Sequence, residues 1–126
     1  MIQSHPHIVS YKKYFQTEEY FLILMELIDG KDFFDTILEI GWLSSDQIRF
    51  FFATFVLGLE AMHERDIIYR DVKPENAVIE PSGYLKLIDF GTARKLSPST
   101  GYRSFTIIGT PHYMAPEVVA GKGYSF

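Results

Sequence analysis

No cysteine occurs in the 126 residues, which excludes a disulfide framework and thiolate metal sites. Basic charge is also scarce. Twelve Lys and Arg stand against sixteen Asp and Glu, a net charge of −4, and no basic stripe runs along the chain. A nucleic-acid partner is therefore not expected. Long apolar runs are missing as well. The longest, Tyr20–Met25, is stopped by Glu26, far short of the ~20 residues a membrane helix needs, so no membrane span is expected. No basic start followed by an apolar run and a small-residue cleavage site is visible. These absences together suit a cytoplasmic protein. No internal repeat, low-complexity tract or interdomain linker interrupts the sequence.

What is abundant is aromatic. Eleven Phe and eight Tyr require a sizeable core, or a partner surface, to cover them. The 47% apolar and 22% charged content is that of a folded chain and not of a disordered one.

Local patterns place the elements. Residues 1–10, with Pro6, read as a loop, and Ile8–Phe15 as a strand. Tyr20–Met25 is β-branched and aromatic enough for a buried strand. The polar turn Gln16–Glu19 between them suggests an antiparallel pair. Asp32–Ile40 reads as a short helix stopped by Gly41. Ser44 and Gln47 form a capping box. The helix it opens carries Ile48, Phe51, Phe52, Phe55, Leu59 and Met62 at steps of three and four, a single apolar face. That face is core and not a cofactor box, and part of it is expected to lie exposed. Ile67–Tyr69 is a short strand. Ala77–Ile79 and Leu85–Ile88 flank Pro81-Ser82-Gly83 as a hairpin. From Asp89 to Glu117 no period persists, and a loop of that length is usually functional. His5 and His7 have no evident third ligand, so no histidine metal site is expected.

Three clusters carry chemistry in combination: Tyr69-Arg70-Asp71-Val72-Lys73-Pro74-Glu75-Asn76, Asp89-Phe90-Gly91, and Gly109-Thr110-Pro111 followed by Ala115-Pro116-Glu117. Alone, Asp71 and Asp89 would read as exposed turn acids, and Lys73 and Asn76 as ordinary loop residues. Their order and spacing make the set specific. It resembles the signature of eukaryotic protein kinases: catalytic loop, magnesium-binding triplet, activation loop and Ala-Pro-Glu closure.

The resemblance covers nearly the whole chain and implies an α+β, kinase-like bilobal fold in part. Residues 1–28 match the end of the small lobe and the hinge. Residues 29–126 match the first part of the helical large lobe, through the activation segment. It implies transfer of the ATP γ-phosphate to Ser or Thr hydroxyls with Mg²⁺. In that scheme Asp71 orients the substrate hydroxyl and accepts its proton. Lys73, a mark of Ser/Thr kinases, neutralises charge on the transferred phosphate. Asn76 and Asp89 ligate Mg²⁺. Met25 is the gatekeeper, backbone groups of Glu26 and Ile28 bond adenine, Asp32 lies near the ribose, and Val78 forms the floor under adenine. Glu75 joins this site and, with Asp32, supplies acids for Arg residues preceding the target hydroxyl. Ile107, Pro111 and Met114 would form a pocket for an apolar residue after it. Tyr11, Tyr69 and Phe90 match three members of the hydrophobic spine.

Tyr69 in place of the commoner His, Gly83-Tyr84, and Phe105-Thr106 ahead of Gly109-Thr110-Pro111 look like the cyclic-nucleotide-dependent kinases, and most like the cGMP-dependent ones. This implies a cyclic-nucleotide-binding regulatory domain outside these residues. It also makes Thr106 a phosphorylation site on which Arg70 and Arg94 converge. His112 departs from the close relatives, which usually have Glu there.

The alternative reading is a truncated or non-catalytic kinase-like scaffold fragment. The Gly-rich phosphate loop, the β3 Lys and its Glu partner are not among these residues, so the phosphate clamp is not either. The 126 residues expressed alone are accordingly expected to transfer no phosphate. Radiolabel transfer to a basic peptide above that of an Asp71→Asn control would contradict this.

Overall fold

A computed structural model describes residues 4–126. The first three residues of the loop expected over 1–10 lie outside the described part. Two strands open the fold, β1 (Tyr11–Gln16) and β2 (Phe21–Met25), paired antiparallel with Gln16 opposite Phe21 and a register shift between Tyr11 and Lys13. The turn between them closes on Thr17, whose hydroxyl accepts from the Tyr20 N–H at 2.9 Å. The pairing agrees with the sequence, but the burial does not. All of β2 is exposed, and a two-stranded ribbon has no core of its own to bury it.

After the ribbon the chain crosses to a three-stranded antiparallel sheet of β3 (Lys31–Asp32), β5 (Ala77–Ile79) and β6 (Leu85–Leu87), in the order β3-β5-β6. The expected hairpin is thus present, with Val78 opposite Lys86 and Asp32 opposite Val78. Helix α1 (Phe33–Ile40) starts at Asp32, whose carboxylate accepts from the Asp35 N–H at 3.1 Å. It ends at Gly41.

Helix α2 (Ser45–His63) begins with the capping box read from the sequence. The Ser44 Oγ accepts from the Gln47 N–H at 3.3 Å, and the Gln47 Oε1 accepts from the Ser44 N–H at 2.8 Å. Its buried face differs from the expected stripe. Thr54, Gly58, Ala61 and Met62 are buried, with Phe51, Phe55 and Leu59 half-buried, whereas Ile48 and Phe52 are exposed beside Phe50, Val56 and Leu57. The helix is apolar nearly all round, so spacing alone could not say which side meets the sheet. Gly58 marks the side that does: a Cβ there would sit 2.9 Å from Leu87 Cδ1.

Two cores result. Phe33, Ala77 and Leu85 gather Phe51 and Phe55 between α1, α2 and the sheet, with the Phe33 and Phe51 rings 4.8 Å apart. Ile8, Ala61, Met62 and Tyr69 form the second, with Phe90 and Ala93 against it. Next come β4 (Ile67–Ile68) and β7 (Arg94–Lys95), paired antiparallel. The sequence read only β4; β7 lies in the stretch without periodicity and is too short to show one. A last short helix, α3 (Pro116–Val119), follows.

Removing the α2 cap leaves N-terminal amides without acceptors. Ser44→Ala is expected to lower stability by about 1 kcal/mol, measured as a shifted midpoint in chemical denaturation.

Candidate active site

The segment after β4 leaves regular structure at Arg70, whose φ is +73°, an uncommon conformation for a residue with a side chain. Asp89 adopts φ +55°. These two residues stand at the starts of the two acidic motifs, where the chain turns sharply. The 3₁₀ turn Pro74–Asn76 then leads directly into β5. The Ile88 N–H donates to the Asn76 carbonyl at 2.9 Å, so the end of the first motif lies beside the start of the second. Tyr69 is buried between them. Its ring meets Phe90 edge-on at 5.4 Å, and its hydroxyl donates to the Ile88 carbonyl. Burial, together with the charges of Asp89 and Asp71, pushes the Tyr69 phenol well above its ordinary pKa, so it stays a neutral donor.

Asp71 is the best-held side chain of the site. Its Oδ1 accepts from the Thr110 N–H at 2.8 Å and from the Thr110 hydroxyl at 2.7 Å. Its Oδ2 accepts from Asn76 Nδ2 at 2.9 Å and pairs with Lys73 Nζ at 3.0 Å. Lys73 also donates to Thr110 Oγ1 at 2.8 Å, closing a ring of three side chains. Burial alone would raise the Asp71 pKa. The bonds from Thr110, Lys73 and Asn76 outweigh it and hold the carboxyl below its ordinary value. Lys73 moves the opposite way: the bond to Asp71, with the charges of Asp71, Glu75 and Asp89, raises its pKa over the burial that opposes it. Three acids from two motifs thus act on one ammonium.

The close approach of Thr110 depends on Gly109. At φ +118° a Cβ there would lie 2.4 Å from the Arg70 carbonyl oxygen. The sequence placed Gly109-Thr110-Pro111 among the clusters that carry chemistry and missed the contact of Thr110 with Asp71. Thirty-nine residues separate the two, and no local spacing signals such a pair.

Oxygen donors remain free for a hard cation. Asn76 spends its Nδ2 on the Asp71 carbonyl and carboxylate, which leaves its amide oxygen without a donor among the described residues. Asp89 is exposed, and of its carboxylate only Oδ1 is engaged, by the Gly91 N–H at 3.0 Å. No cluster of three or more His, Cys, Asp or Glu occurs among the described residues. One amide and one carboxylate oxygen still fit Mg²⁺, which keeps several waters and takes its other ligands from phosphates.

Of the residues expected around a nucleotide, Met25 ends β2, Glu26 and Ile28 lie between ribbon and sheet, Asp32 is in β3, Glu75 in the 3₁₀ turn and Val78 in β5. The Glu26 N–H is engaged by the Ser10 carbonyl at 2.9 Å. Its own carbonyl and the Ile28 N–H make no backbone bond to a described residue, so this edge is open. Val78 is half-buried in β5, and Asp32 caps α1. Glu75 Oε2 is buried with no hydrogen-bond partner. Met25, Tyr11 and Phe90 line one apolar groove of about 570 Å³ that reaches Asp89.

A family model described as the protein kinase domain matches residues 1–126. The chain belongs to the protein kinase domain family. A cGMP-dependent protein kinase of Plasmodium berghei (strain Anka) is 48% identical over 95% of this chain, and one of Toxoplasma gondii is 46% identical over 96%. A cAMP-dependent protein kinase catalytic subunit of Dictyostelium discoideum is 38% identical over 95%. The chain spans 14%, 12% and 18% of the lengths of these three kinases.

The segment from Asp89 to Glu117 meets only half of one expectation. Arg94 donates to Thr106 Oγ1 at 3.2 Å. Arg70 instead donates to the Thr92 carbonyl at 2.5 Å and to Ser104 Oγ at 3.5 Å. Ser104 is buried, and its backbone pairs with Tyr124 in both directions at 2.8 Å. With an uncharged threonine at 106, no anion is there to draw the second guanidinium away from Ser104.

Because Asp71 is held below its ordinary carboxyl pKa of 3.8, its contribution to stability is complete above that value and lost as pH falls through the lower folded one. Thr110→Val removes the bond its hydroxyl donates to Asp71 and the one it accepts from Lys73, and is expected to raise the Asp71 pKa. Carboxyl carbon shifts followed by NMR through an acid titration would measure the change.

Proposed function

We propose that this chain is the core of a Ser/Thr protein kinase, moving the γ-phosphate of ATP to a protein hydroxyl. One observation carries the reading: Asp71, Lys73, Asn76 and Thr110 form a connected group around a single carboxylate, with Asp89 close enough for its charge to act on Lys73. Phosphoryl transfer passes through a loose transition state, so placement and charge supply most of the catalysis. The Asp71 carboxylate orients the incoming hydroxyl and takes its proton. Lys73, the residue that marks Ser/Thr kinases, places positive charge beside the transferred group. Asn76 Oδ1 and the Asp89 carboxylate would hold Mg²⁺, which supplies charge neutralisation at the phosphates when bound.

Met25, the open edge at Glu26 and Ile28, Val78 and Asp32 form the adenosine side of the site. Their alignment with the hinge gives the division proposed for the chain, 1–28 as the end of the small lobe with the hinge and 29–126 as the large-lobe part. Substrates carry Arg or Lys before the target residue: the orphaned Glu75 oxygen is the kind of acceptor a guanidinium would satisfy. Similarity to cGMP-dependent kinases supports a cyclic-nucleotide-binding regulatory domain elsewhere in the whole protein and a cytoplasmic location. Phosphorylation of Thr106 would give Arg94 a charged partner and draw in Arg70.

The scaffold reading leaves the Asp71 ring without a purpose, and its prediction differs. In the full-length protein Asp71→Asn and Asp89→Ala are each expected to lower kcat by at least about 100-fold, as for groups that act in the transition state. Peptide phosphorylation at saturating ATP and Mg²⁺ measures this. An unchanged kcat in either variant would remove that residue from the mechanism.

A further inference from the structure

Glu26 was expected to act through its main chain alone, yet its side chain is among the most engaged of the molecule. Its Oε1 accepts from the Ser10 N–H at 2.8 Å and pairs with Lys86 Nζ at 2.7 Å. Lys86 Nζ also lies 3.0 Å from Glu80 Oε1. The three side chains are largely covered, with 22%, 11% and 26% exposure for Glu26, Lys86 and Glu80. Every other ion pair among the described residues joins side chains no more than eight positions apart. Partial burial makes a contact of this kind stronger than a surface pair. The bond to Lys86 lowers the Glu26 pKa over the burial that opposes it.

The contact joins three segments. Ser10 stands just before β1, Glu26 just after β2, and Glu80 and Lys86 in and after the β5–β6 turn. The same connection is pressed onto the hairpin at Gly30, where a Cβ would lie 2.2 Å from the Ile79 carbonyl oxygen. In the antiparallel register Lys86 is opposite Val78, and directly opposite residues project from one face of a sheet. The ammonium therefore rises from the face that carries the proposed adenine floor. Two residues beyond Glu26 along the chain is Ile28, whose N–H belongs to the open edge.

We infer that Lys86 is a positioning residue for the adenine edge, acting through the Glu26 carboxylate; this rests on the kinase reading of the site. Lys86 never touches the nucleotide. It ties the Glu26–Ile28 main chain to the large-lobe sheet, so that the free carbonyl and N–H stand at a set height above Val78. Without its ammonium, the Glu26 and Glu80 carboxylates would face one another unscreened and push the connection outward. Nucleotide binding should loosen, while the Asp71 ring, built from other segments, should stay intact.

The test uses the full-length protein with Lys86→Met, Lys86→Arg and Glu26→Gln. Lys86→Met is expected to raise the KM for ATP about tenfold with kcat within about twofold, the split expected when binding alone is lost. Preference for ATP over GTP should fall with it, because the displaced edge is the one that reads the base. Glu26→Gln should shift KM the same way but less, since it leaves no unpaired carboxylate toward Ser10. Lys86→Arg should restore the parent values. A KM within twofold of the parent in both Lys86→Met and Glu26→Gln would overturn the assignment. So would a loss confined to kcat. Should Lys86→Met fail to fold, Glu26→Gln decides alone. Phosphate transfer by the parent no better than by Asp71→Asn would sink the kinase reading. Equilibrium titration with a fluorescent ATP analogue would still test Lys86 in that case: a Kd unchanged by Glu26→Gln refutes it, and a raised Kd supports it.

Discussion

The Asp71 carboxylate is the point on which the site is built. A buried acid is costly unless its oxygens are satisfied, and here both are, by donors from three residues. Asn76 holds it from within its own loop, Lys73 adds charge, and Thr110 reaches back from the far end of the segment that follows Asp89. The requirement works in both directions. The carboxylate needs the donors, and they act together with the β4–β7 pairing and the bonds of Arg70 to Thr92 and Ser104 to bring the segment from Asp89 to Thr110 back to this spot. Gly109 permits the last step by letting the chain pass against the Arg70 carbonyl.

A second constraint governs the other end of the molecule. The β1–β2 ribbon is exposed along the whole of β2. Such a ribbon has little stability of its own. Its orientation is set where Ser10 and Glu26 meet, by the backbone bond between them and by the ammonium of Lys86. Polar contacts therefore do at the crossing what apolar packing does in the two cores.

The apolar surface left over is large. Trp42 and Leu27 are 95% and 94% exposed, and the outer face of α2 shows Phe52, Val56 and Leu57. Patches of this extent ordinarily meet other protein. The exposure expected of the Phe-rich helix is what the structure shows, but the side exposed could not be read beforehand, because Phe occupies both sides of it.

Much of the molecule was legible in the chain itself. The capping box, the hairpin at Pro81–Gly83, the antiparallel ribbon and the three motif clusters each depend on neighbours a few residues apart, where spacing dictates geometry. Motif order was enough to point to the kinase family before any coordinate. Contacts between distant segments were not legible: Thr110 on Asp71, Lys86 on Glu26, Arg70 on Ser104 and not on Thr106, and the side of α2 that meets the sheet. Each is decided by how elements with almost no local preference settle against one another. Burial then selects the polar pairs that can satisfy each other. The residue types were thus determined along the chain, and their partners only by packing in three dimensions.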